Sequence, residues 1–229
     1  MDTIKVVLIA PYIELLKIAE EVKRDLNLDI IVELGDLSEG IKVAKEWEKK
    51  GAGVIISRGG TYQMIKEAVS IPVVEIKVSP YDILRQFHGL IGFKGMVGVA
   101  GYKNVIYGCE VIGEVLGLSL TKVIIEKEEE APHQVAAVIA EKDVDLFIGD
   151  TIGARSAARL GLKSRLITSG KESIANAMNE AVRLAEALKS ERAKAEQIRV
   201  IVDFVHDGIV AVDKDGRISI YNKMAEKIF

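Results

Sequence analysis

Gly53-Val54-Ile55-Ile56-Ser57-Arg58-Gly59-Gly60-Thr61 passes from an apolar run into an arginine, two glycines and a threonine. A short apolar run bounded by glycine fits a strand buried on both faces, and the stretch from Thr61 to Ala68 has the pattern of a short helix. The same alternation extends outward in both directions. Upstream lie a strand from Ile4 to Ala10, a helix from Tyr12 to Leu26, and a strand from Asp29 to Leu34. Asp36 then opens a helix, with Glu39 three residues on at capping-box spacing. Downstream, Pro72 to Val78 is the fourth strand.

The pattern then starts again. Strands are expected over Met96 to Ala100, Thr121 to Ile125, Val144 to Ile148 and Arg165 to Thr168. Helices fall between them: Asn104 to about Gly117, one opening at Pro132 where proline is tolerated, and one ending near Leu160. The segment Ser79 to Phe93 crosses between the halves, with Ser79-Pro80 as a helix start. Alternating strands and helices imply parallel sheets under helices. The sequence therefore predicts an α/β protein. It has two similar three-layer α/β/α lobes, chelatase-like or periplasmic-binding-protein-like, and a long C-terminal helix. The lobes are expected over 1–93, including the crossover, and 94–171, with the helix over 172–205.

That helix, from Glu172 to about Val205, contains neither proline nor glycine. Its first half is expected to pack on the lobes, and its charged second half reads as a signalling helix or coiled-coil seam. Residues 206–229 are different. Two apolar strands flank Asp215-Gly216, a hairpin-turn signal, and a helix begins at Asn222. So short a segment cannot bury a core, so it reads as the truncated start of another domain.

Composition narrows the function. Of 229 residues, 49% are hydrophobic and 5% aromatic, and 31 Lys and Arg against 34 Asp and Glu give a formal charge of −3. No basic footprint for nucleic acid is present. No apolar stretch approaches membrane-span length and no secretory signal is visible, so the chain reads as cytoplasmic, without a membrane partner. A single cysteine, Cys109, excludes an internal disulfide and the paired-cysteine chemistry of two-lobed racemases; it reads as an ordinary buried thiol. The Gly-Lys-Ser/Thr phosphate loop, the Gly-x-Ser-x-Gly elbow and the dinucleotide fingerprint are missing. His88, His133 and His206 lack metal-ligand spacing. The chain reads as no enzyme, with no metal or cofactor.

Ligands of open parallel sheets bind beyond the carboxyl ends of the strands. The first candidate loop is Ser57, Arg58, Gly59, Gly60 and Thr61. Glycine permits close backbone approach, a helix N-terminus favours an anion, and Arg58 adds a bidentate fork. A plain structural turn explains the glycines equally. The second candidate is Ser169, Gly170, Lys171 and Ser173, where Ser169 and Glu172 also have capping-box spacing. Asp150 and Thr151 close another strand, with Asp150 either a ligand acceptor or a helix cap. Lys103 and Asn104 share that ambiguity. Tyr12 either walls the cleft or packs in the core.

Three groups of residues resemble one family. Ile55 to Thr61, Ile71 to Ile76 with Asp82-Ile83-Leu84, and Gly149-Asp150 with Ile167 to Ile174 are similar to the N-terminal sensor domain of the propionate catabolism activators, over roughly residues 4 to 195. The tail resembles the start of a PAS domain, through Asp207-Gly208-Ile209, Asp213-x-x-Gly216 and Asn222-x-x-Ala225. The resemblance implies a sigma-54-dependent transcriptional activator with PAS, AAA+ ATPase and helix-turn-helix DNA-binding domains. Its partners would be a small-molecule effector, a second copy through the C-terminal helix, and DNA and sigma-54 polymerase through domains outside this chain. The family's founding member responds to 2-methylcitrate, a tricarboxylate. Arg58 is compatible with such an anion without identifying it. A lyase or chelatase on the same fold, or a dimerisation module with a vestigial cleft, are the alternatives.

Overall fold

The computed structural model describes residues 4–228. They form two units, Ile4–Arg183 and Leu184 onward.

The first unit holds both lobes. In lobe one the order is β1 (Lys5–Ala10), α1 (Ile13–Asp25), β2 (Ile30–Leu34), α2 (Leu37–Lys49), β3 (Ala52–Ser57), α3 (Gly59–Ala68) and β4 (Val73–Glu75). α4 (Pro80–Phe87) crosses over. Lobe two has β5 (Met96–Gly101), α5 (Lys103–Ile106), α6 (Cys109–Val115), β6 (Ser119–Ile124), α7 (Ala131–Glu141), β7 (Val144–Gly149), α8 (Thr151–Arg159) and β8 (Lys163–Leu166). α9 (Lys171–Phe204) follows.

Each sheet is four-stranded and wholly parallel, with orders β2-β1-β3-β4 and β6-β5-β7-β8. The two orders are one topology used twice. All six residues of β3 are buried, as expected of a central strand covered by helices on both faces. Val7, Ile9, Ala44, Ile55 and Ile65 make one core of lobe one. Val97, Val99, Phe147 and Ile148 anchor that of lobe two. The crossover residues Ile83, Phe87 and Leu90 are buried in the lobe-two cluster. So is Leu37, which lobe one contributes at the start of α2.

Several boundaries differ from the sequence expectation. Asp36 occupies the N-cap position of α2, yet its side chain makes no cap hydrogen bond; other partners hold it, as described below. α3 begins at Gly59, so both glycines lie inside its first turn. β4 is three residues long, and the last strand lies at 163–166 instead of 165–168. The helix expected from Asn104 to Gly117 is broken: Gly108, at φ +83°, separates α5 from α6. Ser79 forms the expected helix start as a complete capping box with Asp82.

Cys109 opens α6 fully buried. Burial pushes its thiol up to about 12, with Lys122 pulling down and Glu110 up. At pH 8 very little of it is then thiolate. Iodoacetamide is expected to label Cys109 only in denaturant; rapid labelling of the folded protein, read by mass spectrometry, would contradict this placement.

The second unit contains the latter part of α9, then β9 (Val210–Val212), β10 (Ile218–Tyr221) and α10 (Lys223–Ile228). β9 and β10 pair antiparallel. The turn is longer than an Asp-Gly dipeptide: Asp213 Oδ1 accepts from the N–H groups of Asp215 and Arg217. Asn222 caps α10 by accepting from Ala225 N and also accepts from Ile209 N.

Candidate functional site

The inner strands end where the lobes meet. β1 leads to Tyr12, β3 to Arg58, β5 to Tyr102 and β7 to Asp150. Ser57 Oγ donates to Ile9 O and locks the ends of β1 and β3 together.

Arg58 is 2% exposed. Its Nε and Nη2 atoms, which form one edge of the guanidinium, are buried with no hydrogen-bond partner. The guanidinium carbon lies 5.8 Å from the centroid of the Tyr12 ring. A buried cation with open donors is costly unless something anionic meets it. Tyr12 lies beside this guanidinium. Burial raises the pKa of its hydroxyl while Arg58 opposes the shift, and Tyr12 Oη accepts from Ser169 N at 3.2 Å.

Asp150 acts as a cap. Oδ1 accepts from Ile152 N and Gly153 N, and Oδ2 from Tyr102 N at 2.6 Å. Burial pushes its carboxyl above the ordinary range; the Gly153 and Tyr102 N–H groups, then Arg58 and the Ile152 N–H, pull it back. Both oxygens accept, so the loop is built around the ionised carboxylate.

Thr61 Oγ1 accepts from Leu37 N and donates to Asp36 Oδ1. Asp36 also pairs with Arg155 of α8, joining the lobes. Leu37 adopts φ +45°, a left-handed backbone that a non-glycine residue holds only under local constraint. Between these loops lies a cavity of ≈ 10 Å³, bordered by Arg58, Thr61, Tyr102, Asp150, Thr151 and Ile152. That is room for about one water.

The remaining expected ligand residues are engaged elsewhere. Ser169 forms no capping box; its Oγ is buried and unpartnered. Gly170 N donates to Asp82 Oδ1 and Ser173 Oγ to Asp82 Oδ2. Lys171 faces no open anion site; it reaches Glu21 at 3.0 Å and Asp25 at 3.4 Å. Asn104 is no N-cap, because α5 starts one residue earlier; its Nδ2 donates to Glu75 Oε1 at 2.6 Å. Lys103 and Asn104 border a separate open groove with Gln63, Lys77 and Tyr107. The expected thirteen residues thus divide. Arg58–Thr61, Asp150 and Thr151 border the interlobe cavity; Ser57 ties β3 to β1 and Ser169 meets Tyr12, and the others lie elsewhere.

Asp82 was absent from the expected set. It is 1% exposed and gathers Ser79 N, Gly170 N, Ser173 Oγ and Arg85. Its Ser79-x-x-Asp82 spacing signals a cap, and nothing in the sequence tells that the same carboxylate binds the start of α9.

Gly60 makes lobe contact possible. A β-carbon there would meet Tyr102 Cε2 and clash with the ring. Gly60→Ala is expected to force the lobes apart, which small-angle scattering would read as an increased radius of gyration. An unchanged radius would show that Tyr102 yields instead.

The model of a protein family described as propionate catabolism activator matches residues 24–191. The chain belongs to that family. The propionate catabolism activator match takes in Arg58, Tyr102, Asp150 and Ser169 and leaves Tyr12 outside it. Among solved structures, an NtrC-family transcriptional regulator from Clostridium acetobutylicum is similar at 27% identity and TM-score 0.72. The likeness covers 82% of this chain and 99% of that one. An ABC domain in complex with L-Trp from Streptococcus pneumonia is 10% identical at TM-score 0.49, over 82% of this chain and 85% of the other. A LacI-family regulator from Mycobacterium smegmatis is 9% identical at 0.47, over 80% and 91%. At those scores neither of the last two bears on what a propionate catabolism activator binds. No curated protein sequence matches the chain.

Proposed function

We propose that this chain is the effector-sensing regulatory domain of a sigma-54-dependent transcriptional activator, and that a small carboxylate binds between its lobes. The observation that carries the reading is Arg58: one edge of a buried guanidinium, open and without a partner, beside the interlobe cavity. Bidentate pairing with a carboxylate is what that edge is shaped for. Membership of the family and likeness to an NtrC-family regulator support a regulatory role.

A ligand switches the domain only if it favours one lobe arrangement over another. α9 begins beside the ligand loops and runs unbroken to Phe204, so it is the element to carry the lobe state onward. In this reading residues 207–228 open a PAS domain, supported by their hairpin and capped helix. ATPase, DNA and polymerase contacts belong to domains outside this chain. Ile198, Ile201 and Phe204 are exposed on α9 and would meet a second copy. Among the described residues no helix is long and apolar enough to cross a membrane.

The narrow cavity is also what a dimerisation module with a vestigial cleft would show. Such a module has no use for a buried, unpaired guanidinium. Calorimetric titration of small carboxylates tests the reading. A ligand should bind the natural protein and lose about a hundredfold or more in affinity on Arg58→Ala, the scale of a lost charge-assisted pair. Equal binding by both proteins would refute it.

A further inference from the structure

The interlobe site offers few groups to an anion. The second ligand loop has lost its donors to the protein's own carboxylates. Gly170 N and Ser173 Oγ go to Asp82, and Lys171 goes to Glu21 and Asp25. The N-terminus of α8 is closed as well, because Asp150 takes the N–H groups of Ile152 and Gly153. Arg155 pairs with Asp36. Asn104 is held by Glu75, and Lys103 borders the separate groove. Two buried groups stay open: the Nε/Nη2 edge of Arg58 and the hydroxyl of Ser169. The N-terminus of α3, which follows Arg58 directly, adds its dipole to the anion that Arg58 holds.

The charges agree. Arg155 and Asp36 cancel. Asp150 is met by the N–H groups of Tyr102, Ile152 and Gly153, so among the lining residues Arg58 is the one cation left to receive a carboxylate. Each carboxylate beyond the first would enter a low-dielectric space with no cation to meet it, a placement that is strongly unfavourable. The walls left over are uncharged, chiefly Leu37, Tyr102, Thr151 and Ile152.

We infer that the effector is a small monocarboxylate, one carboxyl on a short apolar or hydroxylated chain, and not a di- or tricarboxylate. The inference rests on the interlobe reading and sharpens it. Arg58 takes the carboxylate side-on, and Ser169 Oγ, buried and unpartnered beside Tyr12, is the group we assign to a hydroxyl on the same ligand.

The test is calorimetry on the 229-residue chain with acetate, propionate, butyrate and lactate against citrate and tricarballylate. The monocarboxylates are expected to include the tightest ligand, with citrate at least about tenfold weaker. That ligand's binding should disappear in Arg58→Ala and in Arg58→Met, with melting curves confirming that each variant folds. Ser169→Ala should leave simple acids unchanged and weaken lactate about five- to tenfold, the scale of one hydrogen bond. A tricarboxylate binding most tightly, and through Arg58, would overturn the monocarboxylate inference and leave the interlobe reading standing. No binding by any monocarboxylate would also overturn the inference. Binding that survives loss of Arg58 would overturn both.

Discussion

Arg58→Met is expected to raise the melting temperature of the protein measured without ligand, while abolishing carboxylate binding. The two effects have one cause. The guanidinium lies 2% exposed, with Nε and Nη2 buried and unpartnered. Methionine fills a similar volume, leaves no donor to satisfy, and packs readily against the Tyr12 ring. Replacing a whole buried ion pair with apolar side chains of similar size is often neutral or stabilising by about 1–4 kcal/mol, and removal of a buried cation that has no hydrogen-bonded partner on this edge should act in the same sense. Loss of Arg58 also withdraws one of the groups that hold down the Asp150 carboxyl, so the gain should lie at the low end of that range. In a body of this size, about 1 kcal/mol corresponds to about 2–4 °C. A calorimetric melting scan is the measurement. A clear fall in melting temperature would mean that Arg58 is a structural cation whose partners are already in place.

Asp82→Ala should act in the opposite sense, and more strongly. Asp82 accepts from Ser79 N at 2.9 Å, Gly170 N at 2.8 Å and Ser173 Oγ at 2.9 Å, with Arg85 at 3.4 Å. These donors come from the crossover helix and from the start of α9. Alanine removes the acceptor from all of them and leaves the buried ones unsatisfied. Breaking such a network by deleting one partner costs about 3–5 kcal/mol. Urea unfolding should show a midpoint lowered accordingly with its slope unchanged. Asp82→Asn keeps the volume and one acceptor oxygen, so it should lose only part of this. If the alanine variant unfolds at the natural midpoint, the joint between α4 and α9 is held by something else.

Much of the fold could be read along the chain. The strands are short apolar runs ended by glycine or proline, and the helices between them repeat their apolar positions at three and four residues. Both signals are local, so the order of elements and the doubled plan follow from them. Ser79-Pro80 and the long glycine-free helix were legible for the same reason. The errors arose where a side chain chose a distant partner over a near one. Asp36 left its own helix for Arg155, 119 positions away. Lys171 left the candidate loop for Asp25, 146 positions away. Asn104 turned from its cap to Glu75. A single sequence carries no record of such pairings, and two of them removed a residue, Lys171 and Asn104, from the expected site. Arg58 remained because no carboxylate reached it, and that too was visible only in three dimensions.

The repeated strand order has an evolutionary consequence. Two halves of one topology, 2-1-3-4 and 6-5-7-8, place corresponding loops face to face. After such a doubling the halves are free to diverge. On the proposed reading the first carries the anion anchor at Arg58, and the second contributes Tyr102 and Ile152 as walls. Drift in the second half can therefore change which acid is accepted while leaving intact the ability to hold an acid at all. Descendants of one ancestral receptor could come to answer to different nutrients by altering a handful of residues between Tyr102 and Ile152.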